Sequence, residues 1–140
     1  ADERKEPAQE LIYEDENHTK FDTLRVGQKL ILDNIHFEND ESELLPESYK
    51  ALYDVLLYLT ENLKVKVELS GHTSIIGGAN HNLRLSLKRA EAVKKFLSLN
   101  GIAEDRIETV GFGSQFPIAS NETEVGQKEN RRVEFKILAK

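Results

Sequence analysis

Cysteine is absent from the 140 residues, which excludes disulfides, thiolate nucleophiles and Cys-ligated metals. No apolar run approaches the roughly 18 residues that a membrane-spanning helix needs. No signal peptide opens the chain. It begins ADERKEP without a methionine, as a mature or excised piece of a longer protein would. A basic excess is missing too: the net charge is -6, and nucleic-acid binders usually carry the opposite sign. Catalytic signatures fail in turn. Ser74 and Ser86 lack a G-x-S-x-G elbow, and GGANHN lacks the Gly-Lys-Ser/Thr ending of a phosphate loop. None of the four histidines has the i, i+4 partner of a helical zinc site. His72 and Ser74, two positions apart, are poorly placed to work as a pair. These absences point away from an enzyme, a metal or a cofactor, and toward a binding or structural module.

Hydrophobic residues make up 39% of the chain and charged residues 31%, enough apolar material for one core. The charge is uneven. Residues 1–22 hold eight acids against three bases, together with Pro7 and no sustained apolar period. They read as an acidic linker or N-terminal extension, leaving 23–140 as the domain. Zero cysteine does not fix a compartment.

Within the domain, the dense apolar run of QKLILDNIHF predicts a strand over 28–37, covered on both faces, with Asn34 at a bulge. Pro46 marks a helix start. Leu52, Val55, Leu56, Leu59 and Leu63 form one stripe of a helix over 47–63, with Tyr49, Tyr53 and Tyr58 as packing residues. KVKVELS alternates cleanly and predicts a strand over 64–70. Ser86, Ala90, Val93 and Leu97 line a second helix over 82–99, stopped by Asn100-Gly101. Strands follow over 106–112 and 132–138, separated by a loop with Pro117 and Asn121. The expected fold class is α/β (α+β): a β-α-β-α-β-β order giving a mixed sheet with both helices packed on it.

The stretch Gly71 to Val93 has the arrangement in which α/β proteins place binding sites, a strand feeding a glycine-rich loop that opens a long helix. Only Ile75 and Ile76 are large enough to anchor that loop. His72 and His81 flank it and suit turn-tying bonds to backbone groups. Arg89 follows the buried stripe of the second helix rather than opposing it, and so needs an anionic partner. That partner is either an internal acid, such as Glu68 or Asp40, or a ligand carboxylate gripped by two parallel N–H bonds. Arg131 and Arg132 point to opposite faces, so only one of them can join such a site.

Ordered motifs carry a further reading. They are Ile35-His36-Phe37-Glu38 with Leu45-Pro46, then Gly71-His72-Thr73, and Asn82 with Leu85-Ser86 and Arg89-Ala90. Gly111-Phe112-Gly113 with Pro117-Ile118-Ala119, and Asn130-Arg131-Arg132-Val133-Glu134, complete the set. From about Leu30 to Leu138 the chain resembles the OmpA-like peptidoglycan-binding domain of outer-membrane proteins, lipoproteins and flagellar stator proteins. VGQKLILDNIHFEND is similar to the Bacteroidetes-type version. The resemblance implies non-covalent binding of the peptidoglycan stem peptide through diaminopimelate, at the periplasmic face of the outer membrane, with a tether through an upstream region. It also implies the site residues: Arg89 for the carboxylate, Asp40 and Ser74 on the amine side, and Thr73, Asn82 and Arg131 around them. Two positions depart from the family pattern. Ser74 stands where the family has an aspartate for the ligand's ammonium, and Gln127 where an arginine usually follows Gly126. The alternative implied by Ser74 is a structural or protein-interaction domain of the same fold with weakened or lost peptidoglycan binding.

Overall fold

A computed structural model describes residues 21–32, 35, 37, 38 and 40–140. Its centre is a four-stranded sheet in the order β1-β4-β2-β3. The strands are β1 (Lys29–Ile31), β2 (Lys66–Gly71), β3 (Ile107–Gly111) and β4 (Val133–Ala139). β4 runs antiparallel to both β1 and β2, while β2 and β3 are parallel. The helices are α1 (Tyr49–Glu61), α2 (Ala79–Leu99) and a short α3 (Glu124–Asn130). The expected mixed sheet with packed helices and an antiparallel last strand is what forms. Among the described residues no helix is long and apolar enough to cross a membrane.

The period-2 pattern decides the strands. Val67 and Leu69 of β2 and Val133, Phe135 and Ile137 of β4 are buried on one face, against Leu52, Val55 and Leu59 of α1 and Ala90, Val93 and Leu97 of α2. Pro46 opens a single 3-10 turn, Pro46–Ser48, that leads into α1. Gly101 takes the left-handed backbone (φ 102°) after α2, and the Ile102 amide bonds back to the Leu97 carbonyl.

Several boundaries differ from the sequence reading. β1 is three residues long and not covered on both faces: Lys29 and Ile31 are exposed and Leu30 is half-buried. It lies at the sheet edge and, among the described residues, pairs with β4 alone. Ile35 and Phe37 are in the core, but outside any strand. Asn34, expected at a bulge, and residues 1–20 lie outside the described residues. Leu63 falls beyond the end of α1 and is exposed. Tyr58 is buried, whereas Tyr49 and Tyr53 sit half out of the surface against Phe96. Phe21, counted above with the acidic extension, is only 4% exposed and packs on Tyr58 and Phe135 with ring centroids 5.3 and 5.2 Å away. α2 begins three residues earlier than expected, with Gly78 at its N-cap.

α3 had no counterpart in the sequence reading. It is seven residues long, too short for an apolar stripe, and Val125 within it is exposed. Its signal is a cap: Thr123 Oγ1 accepts the Gly126 amide at 3.0 Å, with Glu124 in the first turn.

One contact fixes α2 on the sheet. Gly71 and Gly111 are partners in the parallel β2–β3 register. A Cβ on Gly71 would run into the Ser86 backbone carbonyl, and one on Gly111 would come within 2.5 Å of the Leu87 amide nitrogen. The paired glycines let the helix backbone lie against the strand ends. Ser86, fully buried, accepts the Gly113 amide at 2.9 Å and donates to the Leu83 carbonyl.

Gly71→Ala is expected to cost about 2–3 kcal/mol or more, since the clash is with backbone that cannot rotate away. Gly78→Ala, with open space around it, should cost no more than about 1 kcal/mol, the loss of glycine's preference over alanine at an N-cap. Urea denaturation of the two variants checks the contrast. Phe21→Ala should cost about 3 kcal/mol if the packed unit starts at or before residue 21.

Candidate functional site

β2 ends at Gly71, and the chain then passes through His72, Thr73 and Ser74, all buried. Three neighbours hold this segment. The His72 amide bonds to the Arg132 carbonyl and the Thr73 amide to the Gly113 carbonyl, each at 2.9 Å. The Ile75 amide bonds to Asn121 Oδ1 at 3.2 Å. Ile75 and Ile76 do not anchor the loop as expected: they are 59% and 47% exposed. Polar tethers from Gly113 just after β3, Arg132 just before β4 and Asn121 of the 116–121 loop hold it instead.

The anchor of the 116–121 loop is Asn130, which is completely buried. Its Oδ1 accepts the Ile118 and Ala119 amides, and its Nδ2 donates to the Ala119 carbonyl and to Asn121 Oδ1. Gln127 Nε2 donates to the Asn121 carbonyl at 2.8 Å. Asn130 and Gln127 thus orient Asn121, which orients the 74–75 backbone. Neither role was legible in the sequence, because each partner lies on a loop of no regular period.

Arg89 does not face an open pocket. It is 0% exposed, and its guanidinium donates to three backbone carbonyls: Glu41 at 2.8 Å, Glu38 at 3.0 Å and His72 at 3.1 Å. Phe37 lies 5.1 Å from it, ring centroid to guanidinium carbon. Among the described residues Arg89 has no ion pair, so the internal salt bridge to Glu68 or Asp40 does not form. Burial, and next to it the Arg131 cation, pull its pKa down to about 10, while Asp40 and Glu41 oppose this. It remains a cation at neutral pH. Among the described residues three of its five N–H groups find partners, all of them neutral oxygens.

Arg131 and Arg132 part company as the alternation requires. Arg131 bonds to the Phe37 carbonyl at 3.0 Å and stays on the Arg89 side. Arg132 is buried in an ion pair with Glu134 at 2.7 Å, with further bonds to the Asn130 and Phe116 carbonyls.

Two of the expected site residues carry unmatched oxygens. Thr73 Oγ1 and Asn82 Oδ1 are buried without a hydrogen-bond partner among the described residues. A buried polar atom left so costs about 1–3 kcal/mol, which a ligand donor would recover. Asn82 sits in the first turn of α2, its amide bonded to the Gly78 carbonyl. Asp40 is on the other side. It is exposed, has a left-handed backbone (φ 65°), and pairs with His81 Nε2.

A scan of family models matches residues 36–131 to the OmpA family. The chain belongs to the OmpA family. It is 38% identical over 106 residues to outer membrane porin F of Pseudomonas fluorescens, a match covering 76% of this chain and 32% of that protein. It is 41% identical over 103 residues to the peptidoglycan-binding protein ArfA of Mycobacterium bovis, covering 74% of this chain and 32% of that one. Among solved structures, the peptidoglycan-associated lipoprotein from Burkholderia pseudomallei superposes with a TM-score of 0.68 at 27% identity, over 76% of this chain and 88% of that one. The chain thus spans about a third of the length of these two curated relatives.

Within this OmpA-family framework, and among the described residues, the His72 and His81 rings bond to side chains and not to backbone groups as expected. The His72 ring is 3.2 Å from Ser70 Oγ and 3.8 Å from Glu134. Burial pushes its pKa down to about 4, aided by Arg132 and opposed by Glu134. His18 and His36 lie outside the described residues.

The pH dependence follows from that shift. The folded value lies below the ordinary 6.5, so the unfolded chain takes up the proton first as pH falls. The stability contributed by neutral His72 is complete above about pH 6.5 and is lost progressively toward pH 4, on the order of 2–3 kcal/mol in all. Urea midpoints at pH 7.5 and 4.5 should fall further for the native chain than for His72→Gln. Equal falls would show that His72 is not held neutral.

Proposed function

We propose that this chain is a non-catalytic cell-wall binding module that holds the peptidoglycan stem peptide through its diaminopimelate residue. The observation that carries this reading is one loop end that combines a buried cation and unmatched oxygens. Arg89 and Arg131 supply positive charge with no carboxylate partner among the described residues, and Thr73 Oγ1 and Asn82 Oδ1 lack donors. A carboxylate satisfies the guanidiniums, and an ammonium or amide N–H satisfies Asn82. The likeness to ArfA, a peptidoglycan-binding protein, supports the same ligand. In this reading Arg89 sets the carboxylate, Arg131 contributes at the rim, Thr73 and Asn82 orient the ligand, and Asp40 and Ser74 line the amine side. The acidic N-terminal extension tethers the domain to an outer-membrane or envelope partner, with the domain on the periplasmic face.

A second reading has its own support. Arg89 is already held by the protein's own carbonyls, Asp40 is paired with His81, and Ser74 brings no charge. A domain of this fold with weak or lost peptidoglycan binding would be a structural or protein-interaction unit.

Retention on purified cell-wall sacculi at low salt, together with chemical-shift changes on adding stem peptide, is the expected result for the first reading. Absence of both rejects it. Ser74→Asp replaces a neutral contact with a charge-assisted one, and should tighten binding about tenfold. Binding that appears only in Ser74→Asp would favour the second reading.

A further inference from the structure

Where the outer surfaces of α1 and α2 meet, aromatic and aliphatic side chains stand out of the protein. Tyr49, Tyr53 and Leu57 fall at i, i+4 and i+8 on α1, and all three are exposed. Phe96 of α2 joins them, its ring centroid 5.9 Å from that of Tyr49 and 5.4 Å from that of Tyr53. Leu99, one turn on from Phe96, is exposed as well. Among the described residues nothing covers this apolar strip. Lys88 and Lys95 run alongside it on α2, at i and i+7, with Phe96 at i+8. Both lysines are exposed, and neither has an ion pair among the described residues. Glu91, between them, pairs with neither. On α1 the Lys50 cation is held by Asp54 at 3.3 Å. The charge on the α2 side of the rings is therefore positive.

An apolar strip with lysines along one side suits a short acidic segment that carries apolar side chains. This chain has one. Glu10-Leu11-Ile12-Tyr13-Glu14-Asp15-Glu16 sets three large apolar residues between four carboxylates, with no base among them. It is also tied close to the strip. Phe21 stacks on Tyr58 of α1, and Tyr13 precedes Phe21 by eight residues. Eight extended residues reach about 26 Å, whereas Tyr58 and Tyr49 are about 14 Å apart along the helix. We propose that residues 10–16 dock on the α1–α2 strip, with Leu11, Ile12 and Tyr13 against Tyr49, Tyr53 and Phe96, and the acids toward Lys88 and Lys95. A contact of this size is weak between separate molecules. On a tether of eight residues the effective concentration is about millimolar, so an affinity of that order suffices. The extension is then a strap as well as a tether. It shortens its own reach and fixes which face of the domain turns toward whatever precedes it. The strip shares no residue with the Arg89–Thr73–Asn82 cluster, and the strap does not depend on the stem-peptide reading.

The chain has no cysteine, so Gln9→Cys gives a single attachment point for a nitroxide spin label beside the segment. In the full chain the label is expected to broaden the backbone amide signals of Tyr53, Ala92 and Phe96, equally at low and high protein concentration. Leu11→Ser/Ile12→Ser/Tyr13→Ser should abolish that broadening. Lys88→Glu/Lys95→Glu, at exposed positions away from the core, should weaken docking about tenfold at low salt. No broadening, or broadening confined to amides away from α1 and α2, overturns the strap. Broadening that survives the triple substitution overturns it too, as does docking unchanged by the charge reversal. A spin-labelled chain that broadens a separate isotope-labelled one places the segment on a second copy, and overturns docking within one chain. Retention on sacculi tests the stem-peptide reading separately, so either proposal can fail without the other.

Discussion

One guanidinium ties three separate parts of the chain. Arg89 stands on α2 and donates to the end of β2 through the His72 carbonyl, and to the turn after β1 through the Glu38 and Glu41 carbonyls. Only arginine has a side chain of that reach with donors fanned in one plane. A lysine would meet one or two of these oxygens and leave the rest bare. The carbonyls satisfy hydrogen bonds but do not cancel charge, and Arg131 adds to it. Asp40 and Glu41 offset part of that charge.

That clasp works because α2 is held in register by a different force. At the Gly71–Gly111 pair the helix backbone approaches the sheet more closely than any side chain would allow. Ser86 fills the contact with a hydroxyl that meets both Gly113 and Leu83. Shifting the helix by a residue would move Arg89 away from its three carbonyls and Asn82 from the loop. Steric closeness at the glycines thus sets the polar geometry at the site.

The far wall is built by amides. Asn130, Gln127 and Asn121 convert the cap of α3 into a fixed position for the Ile75 backbone. Gln127, which departs from the family's usual arginine, holds Asn121 through its Nε2. Behind the wall, the Arg132–Glu134 pair and neutral His72 fill the outer face of the sheet, so that the loop segment 72–74 has polar support on one side and α2 on the other.

How much of this was legible follows from the range of each interaction. Strand alternation, the stripes of α1 and α2, the glycine stop and the split between Arg131 and Arg132 are local periodicities, and the sequence determines them. Asp40, Thr73, Ser74, Asn82, Arg89 and Arg131 were named as candidates only through ordered motifs, by resemblance and not by any periodicity. Sequence could not say that β1 would be a three-residue strand at the sheet edge, because that depends on its pairing with β4, a hundred residues on. Nor could it give Phe21 to the core, or recognise α3, whose seven residues carry a cap but no apolar face. Above all, the chain's order of residues required a partner for Arg89 without naming it. Whether that charge met an acid, a ligand or bare carbonyls depended on where the turn after β1 came to rest, and only three-dimensional packing decides that.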